Sequence, residues 1–139
     1  MIQYFTENVP MPTLKKQKIN RWIKQTVNHY GKKVGEIAYI FCNNERILEI
    51  NRQYLHHDYF TDIITFDDST QSVISGDIFI SLETVKSNAE DYQVEFEEEL
   101  HRVIIHGILH LCGQDDTTPE MKSEMTRKEN EALEEFKKM

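Results

Sequence analysis

Cysteine is nearly absent: Cys42 and Cys112 are the only two in 139 residues, they lie far apart, and neither belongs to a CxxC pair. A disulfide framework is thereby excluded as the basis of the fold, and reduced thiols in the cytoplasm are expected. Long apolar runs are missing too. The longest near-apolar stretch, VIIHGILHLC from Val103 to Cys112, is about half the length a bilayer requires and carries two histidines. The opening MIQYFTENVP has no basic segment leading into an apolar one. Neither membrane insertion nor export is expected, and the chain reads as a soluble intracellular protein. Glycine (5) and proline (3) are scarce, no repeat or linker interrupts the chain, and these residues are expected at element ends.

Basic charge is in deficit, with 16 Lys and Arg against 24 Asp and Glu and a net charge of -8. That balance argues against a general nucleic-acid binder, which needs clustered cations to meet phosphates. The deficit is uneven, however. Between Thr13 and Val34 lie Lys15, Lys16, Lys18, Arg21, Lys24, Lys32 and Lys33, with no acid among them. The ordinary reading of such a run is a solvated helix face; the functional one is a patch that steers an anionic ligand to one side of an acidic protein.

What is present is enough apolar residue for one core and too short a chain for two ordinary domains, so residues 1–139 are read as a single domain. IQYFTE and EIAYIFC are rich in β-branched and aromatic residues and read as strands. Between them Ile19, Trp22, Ile23, Val27 and Tyr30 recur at helical spacing, with Gly31 as the stop. ERILEINRQYL, capped by Asn43 or Asn44, predicts a second helix, after which His56 and His57 are expected as exposed C-terminal caps. TDIITFDD and GDIFISL read as strands joined by the loop DDSTQSVIS, with Thr61, Asp62, Thr65 and Asp77 serving turns and caps. A helix follows from Ser81 or Leu82 to about Asp91, then a longer one through EFEEELHRVIIHGILHLC, with acids in its first turns. Pro119 opens a final helix through Glu135. The expected architecture is α+β: a small mixed sheet of about four strands packed with about five helices, the histidine-bearing helix in the core.

That helix carries the chemistry. Residues four apart lie on one helical face, so His106 and His110 are able to present ring nitrogens to one point. Gly113 takes the left-handed conformation that ends a helix, and the returning chain brings Asp115 or Asp116 back toward the same point. Two imidazoles and a carboxylate leave one tetrahedral position open, the arrangement of a catalytic rather than a structural zinc site. Two hydrogen-bonded histidines on an apolar helix are the plainer account of the spacing alone. Cys112 is offset from His110 and faces elsewhere. Arg102 lies one turn before His106, placed either toward an anionic substrate or toward Glu98 or Glu99.

Three blocks together resemble the YbeY family of metal-dependent endoribonucleases of ribosomal RNA maturation. His106, Gly107, Leu109, His110, Leu111, Gly113 and Asp115 are similar to the family's HGxLHLxGxDH helix. Asn51, Tyr54, Asp58, Thr61, Asp62 and Phe66 follow its LNxxYRxxDxPTDVLSF segment, and GDIFIS its GDI strand. The resemblance implies a single-strand-specific, metal-dependent endoribonuclease acting in rRNA processing and ribosome quality control, with Zn2+ as the ion and ribosomal RNA, the ribosome or small-subunit proteins as partners. The departures are informative. The family's third histidine falls at Asp116, so the implied ligands are His106, His110 and Asp116. A carboxylate is harder and anionic, and leaves a bound water less acidic than a third imidazole would. The family's phosphate-contacting arginine is Leu55 here and its proline is Phe60. Arg52, one turn earlier than Leu55, and Arg102 are the candidates for holding phosphate. A zinc peptidase, which shares HxxxH, is the rival enzyme, but it needs a glutamate where Gly107 stands. A ribosome-associated RNA-binding protein impaired in catalysis is the rival from another class.

Overall fold

The computed structural model describes residues 1–55 and 61–139. His56, His57, Asp58 and Phe60 lie outside the described residues. The described chain forms β1 (Ile2–Thr6), α1 (Lys16–His29), β2 (Lys33–Cys42), α2 (Asn44–Tyr54), β3 (Ile63–Asp67), β4 (Val73–Ser81), α3 (Leu82–Tyr92), α4 (Phe96–Leu111) and α5 (Pro119–Lys138). The sheet order is β1-β2-β4-β3; the first two pairings are parallel and β3 runs antiparallel to β4. This is the expected α+β architecture.

Alternation along the strands separates two apolar faces. Ile37, Tyr39 and Phe41 of β2 and Ile74, Ile78 and Ile80 of β4 join Ile19, Trp22 and Ile23 of α1 and Ile104 and Ile108 of α4 in the main core. The opposite face is smaller: Ile47 and Ile50 of α2 cover Cys42 and Ile64, against Phe66 and Phe79. Two buried polar groups tie the helices down. Tyr39 donates its hydroxyl hydrogen bond to the Ile104 carbonyl at 2.9 Å, and the Trp22 ring N–H donates to the Ala132 carbonyl at 2.7 Å. Phe136 packs on both Trp22 and His101, with centroids at 4.6 and 4.4 Å, which is why α5 continues past Glu135 to Lys138.

Local rules set most boundaries. Asn43, Ser81 and Thr118 each accept a backbone N–H through their side chains, at Arg46, Thr84 and Met121, and so cap α2, α3 and α5. Two expectations are corrected. β4 begins at Val73, inside the polar stretch expected as loop, because Val73 and Ile74 pair with Lys33 and Val34 of β2 while a turn between Thr70 and Val73 closes on β3. The second concerns only the general expectation that glycines fall at element ends: Gly107 sits within α4, as the sequence predicts for that helix, and a Cβ there would meet Ile63 and Ile78 side chains at 3.1 Å. Its missing side chain lets α4 lie directly on the sheet, and the site is built at that helix's C-terminal end.

Candidate metal centre

The last turn of α4 closes by a pair of backbone bonds. The Gly113 N–H donates to the His110 carbonyl at 2.9 Å and the Gln114 N–H to the Leu109 carbonyl at 3.0 Å. This is the Schellman closure, and it requires the left-handed φ of 101° that Gly113 supplies. The chain then folds back along α4. Gln114 is held in place by Lys128, whose ammonium donates to its side-chain oxygen at 2.7 Å.

Asp116 consequently faces both histidines. Its Oδ2 lies 3.5 Å from His106 Nε2 and 3.4 Å from His110 Nε2, and the three donor atoms fall within 4.8 Å of one another. A tetrahedral ion with bonds of about 2.0–2.1 Å has ligand–ligand edges of about 3.3–3.4 Å. The donor set suits a single ion in its chemistry, and the two edges from Asp116 to the histidines have the tetrahedral length. Asp115 lines the same cleft without joining the three donors.

Behind His106 stands a residue that the sequence pattern did not single out. Glu129 of α5 is buried, and its Oε2 lies 2.5 Å from His106 Nδ1. Arg102 of α4 meets the other carboxylate oxygen at 2.8 Å and donates to Asn130 Oδ1 at 2.8 Å. The guanidinium thus reaches across to α5 rather than along its own helix to Glu98 or Glu99. A signal for Glu129 existed: it occupies the apolar stripe formed by Met125, Ala132, Leu133 and Phe136, where an acid is out of place.

The donors open into a cleft of about 550 Å³ lined also by Asn51, Leu55, Asp62 and Asp67. No lysine or arginine lines it among the described residues. Asp62, expected to serve a turn, is instead drawn into this cleft, where its carboxylate meets Thr61 Oγ1 and Asn88 Nδ2, each at 3.5 Å. Burial pushes its carboxyl above the usual range, against the opposing pull of His106. Burial also drives Glu99 up to about 7, reinforced by Asp62 and Glu129 and opposed by Arg102. For His106 burial acts against protonation, but the hydrogen bond and charge of Glu129, with Asp62 and Asp116, outweigh it and raise its pKa.

The remaining candidates lie apart from this point. Arg52 is exposed in the last turn of α2, while its neighbours Asn51 and Leu55 reach the cleft. The basic residues of α1 and the following turn stay outside it: Lys18 lies over the Phe136 ring at 4.1 Å, and Lys32 donates to the Gln71 carbonyl at 2.7 Å. Cys112 is half-buried at the end of α4, its thiol pushed by burial to about 11, and it is not among the three donors.

The family model described as Endoribonuclease YbeY matches residues 3–137. The chain belongs to this family. A relative named Endoribonuclease YbeY from Phocaeicola vulgatus is 59% identical over 133 residues, covering 96% of each chain. Another of that name, from Porphyromonas gingivalis, is 48% identical over 132 residues, covering 95% of this chain and 87% of its own. The solution structure of a Thermotoga maritima protein is similar at a TM-score of 0.69 and 28% identity, covering 98% of this chain and 89% of that one. The three donors fall in the part of the chain that the family model spans, so the centre belongs to the shared domain. Among the described residues no helix is long and apolar enough to cross a membrane.

Proposed function

We propose that the protein is a metal-dependent, single-strand-specific endoribonuclease acting in rRNA processing and ribosome quality control in the cytoplasm. The observation that carries this reading is the convergence of His106, His110 and Asp116, their donor atoms within 4.8 Å of one another, in an open cleft of a chain of the endoribonuclease YbeY family. Zn2+ is the ion these two imidazoles and one carboxylate suit best. The chemistry supplied by such an ion when bound is Lewis acidity, toward a phosphodiester oxygen and toward water.

The chain's own residues define the rest. The cleft carries Asp62, Asp67, Asp115 and Asp116 and, among its described lining, no cation. An RNA phosphate would be repelled from the empty cleft by Coulomb forces alone, so substrate approach depends on the charge held by the three ligands. Arg52, which follows Asn51 and lies one turn before Leu55 on α2, would hold a neighbouring phosphate. The cations of α1 act at longer range, steering RNA or the ribosome without reading sequence. Choice of cleavage position then rests on RNA shape and on ribosomal RNA or small-subunit proteins as partners.

Substitution of His110 by Ala tests the reading. Both bound zinc and cleavage of single-stranded RNA are expected to disappear, and undiminished EDTA-sensitive cleavage in the variant would end the proposal. The peptidase alternative is disfavoured by Gly107, which has no side chain to act as a base and is packed against Ile63 and Ile78. Parallel incubation of the zinc-loaded protein with RNA and with an unstructured peptide should give cleavage of the RNA only. Retained ribosome binding with neither metal nor cleavage would instead identify the catalytically impaired binder.

A further inference from the structure

Glu129 is a carboxylate where the packing asks for an apolar side chain. It sits in the buried stripe of α5 between Met125 and Ala132. Replacing a buried ion pair with well-packed apolar residues is commonly neutral or stabilising, so α4–α5 docking gives no reason for an acid there. The geometry does. One oxygen meets His106 Nδ1 at 2.5 Å and the other meets Arg102 at 2.8 Å, so the carboxylate is fixed between two side chains of α4 one turn apart.

We infer that Glu129, held by Arg102, is the positioning residue of the metal centre: it keeps the His106 proton on Nδ1 and the ring turned so that Nε2 faces Asp116 and His110. A carboxylate can only accept from the ring, so its partner nitrogen carries the proton and the opposite nitrogen keeps its lone pair for the ion. The same contact fixes rotation of the ring and raises the ligand's basicity. Arg102 is thereby a positioning residue acting through Glu129, and its guanidinium is committed to α5 rather than offered to substrate. This inference rests on the proposed metal site.

The decisive variant is Glu129→Leu, which completes the apolar stripe and leaves the half-exposed Arg102 able to reach water. The thermal unfolding temperature of the metal-free variant should fall, because Arg102 and His106 both lose their partner, and zinc affinity, measured by competition with a chelating dye, should fall by roughly 10–100-fold. Glu129→Gln, which keeps an acceptor without the charge, should fall between the two. Arg102→Ala should lose affinity in the same direction but by less, and Arg102→Lys should recover part of it. Nitrogen-detected NMR of the metal-free protein supplies a readout independent of zinc: His106 should be protonated on Nδ1 in the unaltered protein and spread over both tautomers in Glu129→Leu. Unchanged affinity and an unchanged tautomer in Glu129→Leu overturn the inference. If that variant does not fold, unchanged affinity and tautomer in both Glu129→Gln and Arg102→Ala overturn it. Absence of zinc from the unaltered protein would sink the metal site itself, and the tautomer comparison would still decide the role of Glu129.

Discussion

Asp116 Oδ2 lies almost equidistant from His106 Nε2 and His110 Nε2, at 3.5 and 3.4 Å, although it belongs to the loop after α4 while both histidines belong to the helix. A carboxylate in that position neutralises half of a divalent ion's charge, which weakens its pull on a bound water compared with a third imidazole. Asp116→Ala should therefore lower zinc content sharply. Asp116→His should keep zinc and move the rise of kcat/KM with pH to lower pH. The profiles are measured on a single-stranded RNA; a rise at the same pH in Asp116→His and the unaltered protein would show that Asp116 does not touch the ion.

Gly113 determines whether Asp116 arrives. Its φ of 101° lies where a side chain is strained, although a Cβ added there would meet no atom within 4 Å. Gly113→Ala should therefore cost about 1–3 kcal/mol through backbone strain alone. The loop can relieve that strain only by changing the closure on His110 and Leu109, which displaces Asp116. Chemical denaturation and zinc titration are expected to fall together. Lost stability with intact zinc affinity would show that the aspartate reaches its place independently of this turn.

Much of this architecture was legible because local and tertiary demands agreed. In α1 the apolar spacing of Ile19, Trp22, Ile23 and Val27 is also the buried face, and Asn43, Ser81 and Thr118 cap helices by chemistry confined to their own turns. The meeting of His106, His110 and Asp116 was legible for the same reason: helical spacing, a glycine stop and the family pattern converge on that point. Glu129 was missed despite its place in the apolar stripe, because an acid on a charged tail helix looks solvated until α5 is laid against α4. Asp62 likewise read as a turn residue, since its burial arises from α3 and α4 packing near it. The start of β4 depended on the register with Lys33 and Val34, a pairing that no property of Val73 to Ser75 announces.

Close packing at Gly107 makes a separate prediction. A methyl group there would meet Ile63 Cδ1 and Ile78 Cδ1 at 3.1 Å and Ile78 Cγ2 at 3.2 Å, so two core side chains must move at once. Alanine gains about 1 kcal/mol of helix propensity over glycine, and overpacking of this kind costs about 1–3 kcal/mol. The second effect should win, giving a net loss of about 1 kcal/mol in Gly107→Ala by urea denaturation. A net gain would mean that the isoleucines have unused room and that α4 does not need the close approach.

Glu99 should make stability fall as pH rises. Its carboxyl is raised to about 7 in the folded protein from an ordinary 4.5, first by burial and then by Asp62 and Glu129. The folded state therefore favours the protonated form. The stabilisation is complete below about pH 4.5, where both states are protonated, and is lost as pH rises through 7, where the folded carboxyl must ionise in place. At one pKa unit per 1.36 kcal/mol the upper limit is about 3 kcal/mol. Glu99→Gln removes this dependence while keeping the side chain's shape. In EDTA, to keep metal out of the comparison, Tm of the unaltered protein should decline relative to Glu99→Gln between about pH 4.5 and 8. Parallel curves over that range would show that Glu99 is ionised at no cost, with Arg102 compensating it fully.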